Sequence, residues 1–179
     1  TRRSSDLAMI QKYACKKRGR FYCLFIDFSK AFDSVSHNAL LSSLRKVGVE
    51  GKFYSILLSM YGNLSACIRT SQGLSGYFGC SVGTRQGCIL SPQLFIIFIN
   101  QLVHSFEHFG GKGIFISPEY DNLYALMFAD DVSSVSDTAI QLQKKILALE
   151  NFCVSTRMKV NIKKTKVIVF RNKIGRAHV

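Results

Sequence analysis

The chain has 179 residues, of which 47% are hydrophobic and 20% charged, and it carries a formal net charge of +13. That is enough for one ordinary domain with a sizeable core, and too apolar for an intrinsically disordered chain. The longest strongly apolar run, "LFIIFI" at residues 94–99, is far too short for a membrane-spanning helix, and no signal peptide is expected.

In chain order, "SSDLAMIQKYACKKR" has helical spacing, with Ser4 or Ser5 as N-cap and bases in its last turn. "FYCLFIDF" (21–28) is a continuous apolar run ending on an acid, as a buried strand reads. "NALLSSLRKVG" and "GKFYSILLSMYG" predict two short helices, each closed by a glycine. "SACIRTSQGLSGYFGCSVG" alternates around Gly73 and Gly76 and predicts a β-hairpin. "SPQLFIIFINQLVHSFEHFGG" predicts a helix with Ser91 as N-cap, Pro92 in the first position and Gly110 at its end. "NLYALMFADDVSSVSD" predicts two strands joined at the acids. "TAIQLQKKILALENFCVST" predicts a long amphipathic helix with Ile140, Ile146, Leu147, Leu149 and Phe152 on its apolar side. "KTKVIVFR" (164–171) predicts a last strand. Antiparallel hairpins mixed with long helices imply an α+β fold, a small antiparallel sheet with helices on one face.

The charge is unevenly spread. Residues 1–20 carry +6, residues 151–179 carry +8, and residues 21–150 carry −1. Basic flanks around an acidic core suit a polyanion such as a nucleic-acid backbone, or simply a solvated face. The six cysteines, Cys15, Cys23, Cys67, Cys80, Cys88 and Cys153, form no CxxC pair and have no histidine pair at zinc-ligand spacing. They read as reduced core residues of an intracellular protein.

The chemistry concentrates in "MFADD" (127–131). A turn at Ala129-Asp130-Asp131 brings two carboxylates to one end of a hairpin. Their mutual repulsion is relieved by a divalent cation, and hard cations such as Mg²⁺ take oxygen ligands. Asp27, ending the buried strand, is the natural third ligand. Three carboxylates on such a platform suit two-metal phosphoryl or nucleotidyl transfer. Adjacent aspartates are also common at turns for purely local reasons.

Four blocks occur in one order: "FIDFSKAFDSVSHNALL" (25–41), "GTRQGCILSPQLFIIFIN" (83–100), "FADD" (128–131) and "VNIKKTKVIVF" (160–170). Together they resemble the successive palm motifs of reverse transcriptases, above all those of non-long-terminal-repeat (LINE-type) retrotransposons. The resemblance covers roughly residues 1–171. It implies a right-hand polymerase palm plus partial fingers. Residues 1–20 would be a fingers remnant, 21–37 the first palm motif, 38–85 a fingers segment, 86–171 the rest of the palm and 172–179 a non-native-looking tail.

The resemblance also implies roles. Asp27, the carbonyl of Phe28, Asp130 and Asp131 would hold two Mg²⁺ ions, with Mn²⁺ as an alternative. Phe32 would be the aromatic gate that excludes a 2′-hydroxyl, or else a core ring. Gln86 and Gly87 would meet the incoming nucleotide and template, or else form a turn before the helix. Gly permits close backbone approach, and Gln offers both donor and acceptor. Lys164 would protonate the departing pyrophosphate, although Lys163 and Lys166 are its neighbours. Asp33 would be a local cap or turn acceptor. The implied partners are an RNA template, a DNA primer and deoxynucleoside triphosphates, with no membrane. The implied location is intracellular, the nucleus for target-primed synthesis and the cytoplasm for translation.

Phe128 stands where many such enzymes carry Tyr, losing a hydroxyl but keeping the ring. Upstream fingers strands, a thumb and endonuclease parts are expected elsewhere in a larger polyprotein, so the chain alone is expected to have little polymerase activity. The last six residues, "IGRAHV" (174–179), read like translated sequencing adapter. Other readings are an RNA-templated RNA polymerase, a mobile-intron reverse transcriptase, or a non-catalytic nucleic-acid-binding relic of a decayed element.

Overall fold

A computed structural model of the chain describes residues 20–109, 112–115 and 122–171. The expected first helix, the glycine stop at Gly110 and the suspect tail lie outside the described residues, as do most of the bases at the two ends.

The chain divides into two units. Residues up to 28, 102–152 and from 160 onward form the first; residues 29–101 and 153–159 form the second.

The first unit is built on a four-stranded antiparallel sheet. Its strands are β1 (Arg20–Ile26), β6 (Ala125–Phe128), β7 (Asp131–Ser136) and β8 (Lys166–Arg171), in the order β6-β7-β1-β8. The strand β1 is central, which explains why its sequence is apolar without alternation. Phe21, Cys23, Leu24 and Ile26 are all buried, so both of its faces are covered. Cys23 pairs with Val135 on one side and Ile168 on the other. Phe21, Cys23, Val135 and Ile114 form a core cluster, with Phe25, Leu123, Leu126 and Phe170 packed against it.

The helix α4 (Ala139–Thr156) corrects the expected apolar stripe. Ile140 and Leu147 are exposed, whereas Leu142, Lys145, Ala148, Leu149 and Phe152 are buried. The inward face therefore carries a lysine. Lys145 is fully buried, and its Nζ donates to the carbonyls of Val135 at 2.6 Å and Tyr124 at 3.0 Å. The rings of Tyr124 and Phe106 lie 5.6 Å and 5.9 Å from that nitrogen. A buried ammonium is tolerated only where such acceptors replace water.

In the second unit, a 3₁₀ turn at Phe32–Ser34 leads into α1 (His37–Lys46) and α2 (Gly51–Tyr61). The expected single hairpin is a hairpin within a hairpin. The strands β2 (Leu64–Ala66) and β5 (Phe78–Cys80) pair outside β3 (Arg69–Thr70) and β4 (Gly73–Leu74). The helix α3 (Ser91–Phe109) begins in this unit. Ser91 is its first residue, and its hydroxyl donates to the Arg85 carbonyl at 2.7 Å, tying the helix start to the preceding turn.

Of the five described cysteines only Cys23 lies in the core. Cys67, Cys80, Cys88 and Cys153 are half-buried, because they sit on small hairpins, a turn and the rim of a helix. No helix among the described residues is long and apolar enough to cross a membrane.

Candidate active site

The predicted site residues fall into two sets, one in each unit. Asp27, Phe28, Asp130, Asp131 and Lys164 belong to the first; Phe32, Gln86 and Gly87 belong to the second.

Asp27 follows β1 directly, and its backbone is pinned on both sides. Its N–H donates to Thr165 Oγ1 at 3.2 Å, and its carbonyl accepts from the Asn161 N–H at 2.8 Å. The segment "NIKKT" makes this clamp by folding on itself, with the Lys164 and Thr165 amides donating to the Asn161 carbonyl at 3.1 Å and 2.8 Å. Sequence reading missed Thr165 and Asn161, although both flank the lysine it singled out. Lys164 Nζ lies 3.8 Å from Asp27 Oδ1.

The acidic hairpin is tighter than expected. Phe128 pairs with Asp131, so the turn is only Ala129-Asp130, and Asp131 is already a strand residue. Ala129 has φ 54°, a left-handed conformation that costs a non-glycine residue roughly 1–2 kcal/mol. The β1–β7 register ends at Ile26 opposite Val132. The next residues beyond that pair are Asp27 after β1 and Asp131 at the start of β7, with Asp130 next in the turn. Cross-strand neighbours share a face.

Phe28 is buried, with its ring edge-on to Phe152 at 6.5 Å. Its carbonyl accepts no hydrogen bond from the described residues. Carboxylate oxygens at adjacent register positions and an unengaged carbonyl are the donor chemistry a hard divalent cation takes. Among the described residues no three His, Cys, Asp or Glu side chains form a ready-made metal cluster. The acids are brought to neighbouring backbone positions, and the Asp27 carboxylate faces an ammonium.

In the second unit, Phe32 stacks on Phe95, with ring centroids 4.3 Å apart and planes inclined by 26°. Its ring is half-buried, held from below by a helix residue. The Thr84 N–H donates to the Phe32 carbonyl at 2.9 Å, and the Gly83 N–H donates to the Val35 carbonyl at 2.8 Å. The first-motif turn and the "GTRQG" segment are therefore laced together. Gly83, which sequence reading passed over, is needed here. It has φ 95°, and a Cβ on it would sit 3.3 Å from the Asp33 carbonyl oxygen. Gln86 is exposed, and its Nε2 donates to Asp33 Oδ1 at 3.4 Å. Asp33, expected as a local cap or turn acceptor, thus accepts from the turn before α3. Gly87 also has positive φ, 78°, in the turn before α3.

The reverse transcriptase (RNA-dependent DNA polymerase) family model matches residues 2–175. Among curated proteins, the chain is 28% identical over 151 residues to a Pol polyprotein of the type-1 retrotransposable element R2 of Popillia japonica. It is 28% identical over 143 residues to the corresponding R2 polyprotein of Nasonia vitripennis. Those matches take in 84% and 80% of this chain but only 21% and 14% of the two polyproteins. Among solved structures, a Candida tropicalis telomerase in complex with a telomeric RNA fragment superposes with a TM-score of 0.70. That match is at 16% identity and covers 98% of this chain and 30% of the telomerase.

Proposed function

The chain belongs to the reverse transcriptase family, and from that membership we propose that it is the palm and part of the fingers of a retrotransposon RNA-directed DNA polymerase of the non-LTR type. The reaction is attack of a primer 3′-oxygen on the α-phosphorus of a deoxynucleoside triphosphate, forming a phosphodiester and releasing pyrophosphate. The template is RNA and the primer a nicked DNA end. Target-primed synthesis of this kind would run in the nucleus.

Asp27, Asp130, Asp131 and the Phe28 carbonyl would hold two Mg²⁺ ions, or Mn²⁺ in their place. Such ions, when bound, activate the attacking oxygen and stabilise the leaving phosphate. The chain's own residues do the rest. The turn at 161–165 holds Asp27 in place through its backbone. Lys164 supplies the proton taken up by the leaving pyrophosphate. The Phe32 ring, backed by Phe95, packs under the sugar and leaves no room for a 2′-hydroxyl. Gln86 and Gly87 meet the nucleotide and template, Gly87 by allowing the backbone close.

The observation that carries this reading is the register that ends at Ile26 opposite Val132, one residue before Asp27 on one strand and one residue after Asp131 and the Asp130 turn on the other. Primer extension on an RNA template by the full-length polymerase carrying this segment tests it. Extension should require Mg²⁺ or Mn²⁺ and vanish in Asp27→Asn and Asp130→Asn. Undiminished extension by either variant overturns the reading.

A further inference from the structure

We propose that His37 is a positioning residue, held with a proton on both ring nitrogens, that locks the Gly83–Gly87 turn to the Phe32 segment by donating at once to two backbone carbonyls. His37 opens α1 and is 2% exposed. Its Nδ1 lies 3.0 Å from the Tyr61 carbonyl oxygen, and its Nε2 lies 2.8 Å from the Gly83 carbonyl oxygen. Carbonyl oxygens only accept hydrogen bonds. A neutral imidazole carries one N–H and one lone pair, so either tautomer would aim a lone pair at an oxygen and leave a buried nitrogen without a donor. Turning the ring over sets carbon atoms against both oxygens and loses both bonds. The imidazolium alone satisfies the geometry.

Both acceptors belong to backbone carbonyls, which replace the water that burial removes. Tyr61 is the last residue of α2, and its carbonyl belongs to the helix end that carries partial negative charge. The Tyr61 ring meets the imidazole edge-on, with centroids 5.1 Å apart. No carboxylate among the described residues forms an ion pair with His37, so the two carbonyls are its acceptors. The titratable or charged groups on the neighbouring elements are the exposed Lys52, the half-buried Tyr54 and the buried Tyr61 phenol on α2, the exposed Asp33 in the 3₁₀ turn and the exposed Arg85 in the turn itself.

The ring closes a frame that the backbone begins. The His37 N–H donates to the Ser81 carbonyl at 3.0 Å, Ser36 bridges to Val82, and the Gly83 and Thr84 amides return to Val35 and Phe32. Gly83 sits in the left-handed region, which only glycine adopts freely, while its carbonyl takes the imidazole bond. Phe32 and Gln86 therefore share one scaffold, and His37 is its cross-brace. That these two residues face the nucleotide rests on the function proposed above; the clamp itself does not.

Long-range ¹H–¹⁵N NMR of the histidine rings of this chain at pH 7 tests the protonation directly, without any activity. Both His37 nitrogens should resonate as protonated. One protonated and one bare nitrogen overturns the proposal. Amide hydrogen exchange of His37→Gln gives a second reading. The Gly83 and Thr84 amides should exchange about tenfold faster or more, while Cys23 and Leu24 in β1 keep their protection. Unchanged exchange at Gly83 and Thr84 in a folded variant also overturns it. If the variant does not fold, the wild-type spectrum decides.

Discussion

Lys164 Nζ lies 3.8 Å from Asp27 Oδ1, and the lysine side chain is 70% exposed while the aspartate is 31% exposed. The β1–β8 register ends at Phe25 opposite Lys166, so Lys166 is committed to the strand, whereas Lys164 lies in the turn that precedes it. The contact is long and open to water, and such pairs contribute about 0–1 kcal/mol.

Lys164→Ala should therefore change the unfolding free energy by less than about 1 kcal/mol in urea titration. Any loss of nucleotidyl transfer in the full enzyme would then be chemical and not a loss of fold. A drop of several kcal/mol would show that the lysine stem is a packing element.

Ala129 carries the opposite expectation. Its φ of 54° is penalised by the methyl group, and glycine removes that penalty while adding unfolded-state entropy. Ala129→Gly should raise stability by about 0.5–1 kcal/mol. A destabilised glycine variant would mean that the Ala129 methyl is packed.

The Phe32–Phe95 stack should show in a double-mutant cycle. Phe95 is fully buried, so Phe95→Ala should cost about 3–5 kcal/mol, and Phe32→Ala less. The coupling between them should be about 0.5–1.5 kcal/mol, as for other ring pairs. If Phe32 also gates the sugar, Phe95→Leu should loosen discrimination against ribonucleotides in the full enzyme, since it withdraws the ring that backs Phe32.

Lys145 and Cys23 make opposing contributions at alkaline pH. Burial pulls the Lys145 ammonium down to about 8 from 10.5, against the charge of Asp137. Between those values the unfolded chain holds a proton that the folded chain has released, so stability rises with pH there. Burial pushes the Cys23 thiol up from 9.0 to about 12, with the nearby Lys145 charge working against it. Between those values the folded chain keeps a proton that the unfolded chain has lost, so stability falls with pH. The two together predict a rise of about 1 kcal/mol from pH 8 to 9, near-cancellation to 10.5, and a fall beyond. Lys145→Met should abolish the rise and leave a decline starting near pH 9. Chemical denaturation across that range checks the shape.

Part of the architecture was legible because it is written in short range. β1 announced itself as an unbroken apolar run, and the acidic hairpin as two strands meeting at Asp130 and Asp131. Other parts were not. A period of 3.6 residues allowed two apolar stripes on α4, and the sequence gives no sign that Lys145, not Leu147, faces inward. The ammonium is buried only because Tyr124 and Val135 present carbonyls there. Likewise "SVSH" offers no hint that His37 reaches a helix end and a turn 46 residues away.

The sequence by itself determined the family, the order of the motifs and the identity of the acids. Those depend on local residue patterns and on chemistry that tolerates few side chains. Only the tertiary structure decided that β1 and β7 pair up to the residues next to Asp27 and Asp131, that "NIKKT" clamps Asp27 by its backbone, and that Asp33 serves Gln86. These are pairings between segments far apart in the chain. They are set by strand register and by which buried polar group finds a partner, and neither is encoded in any one stretch of residues.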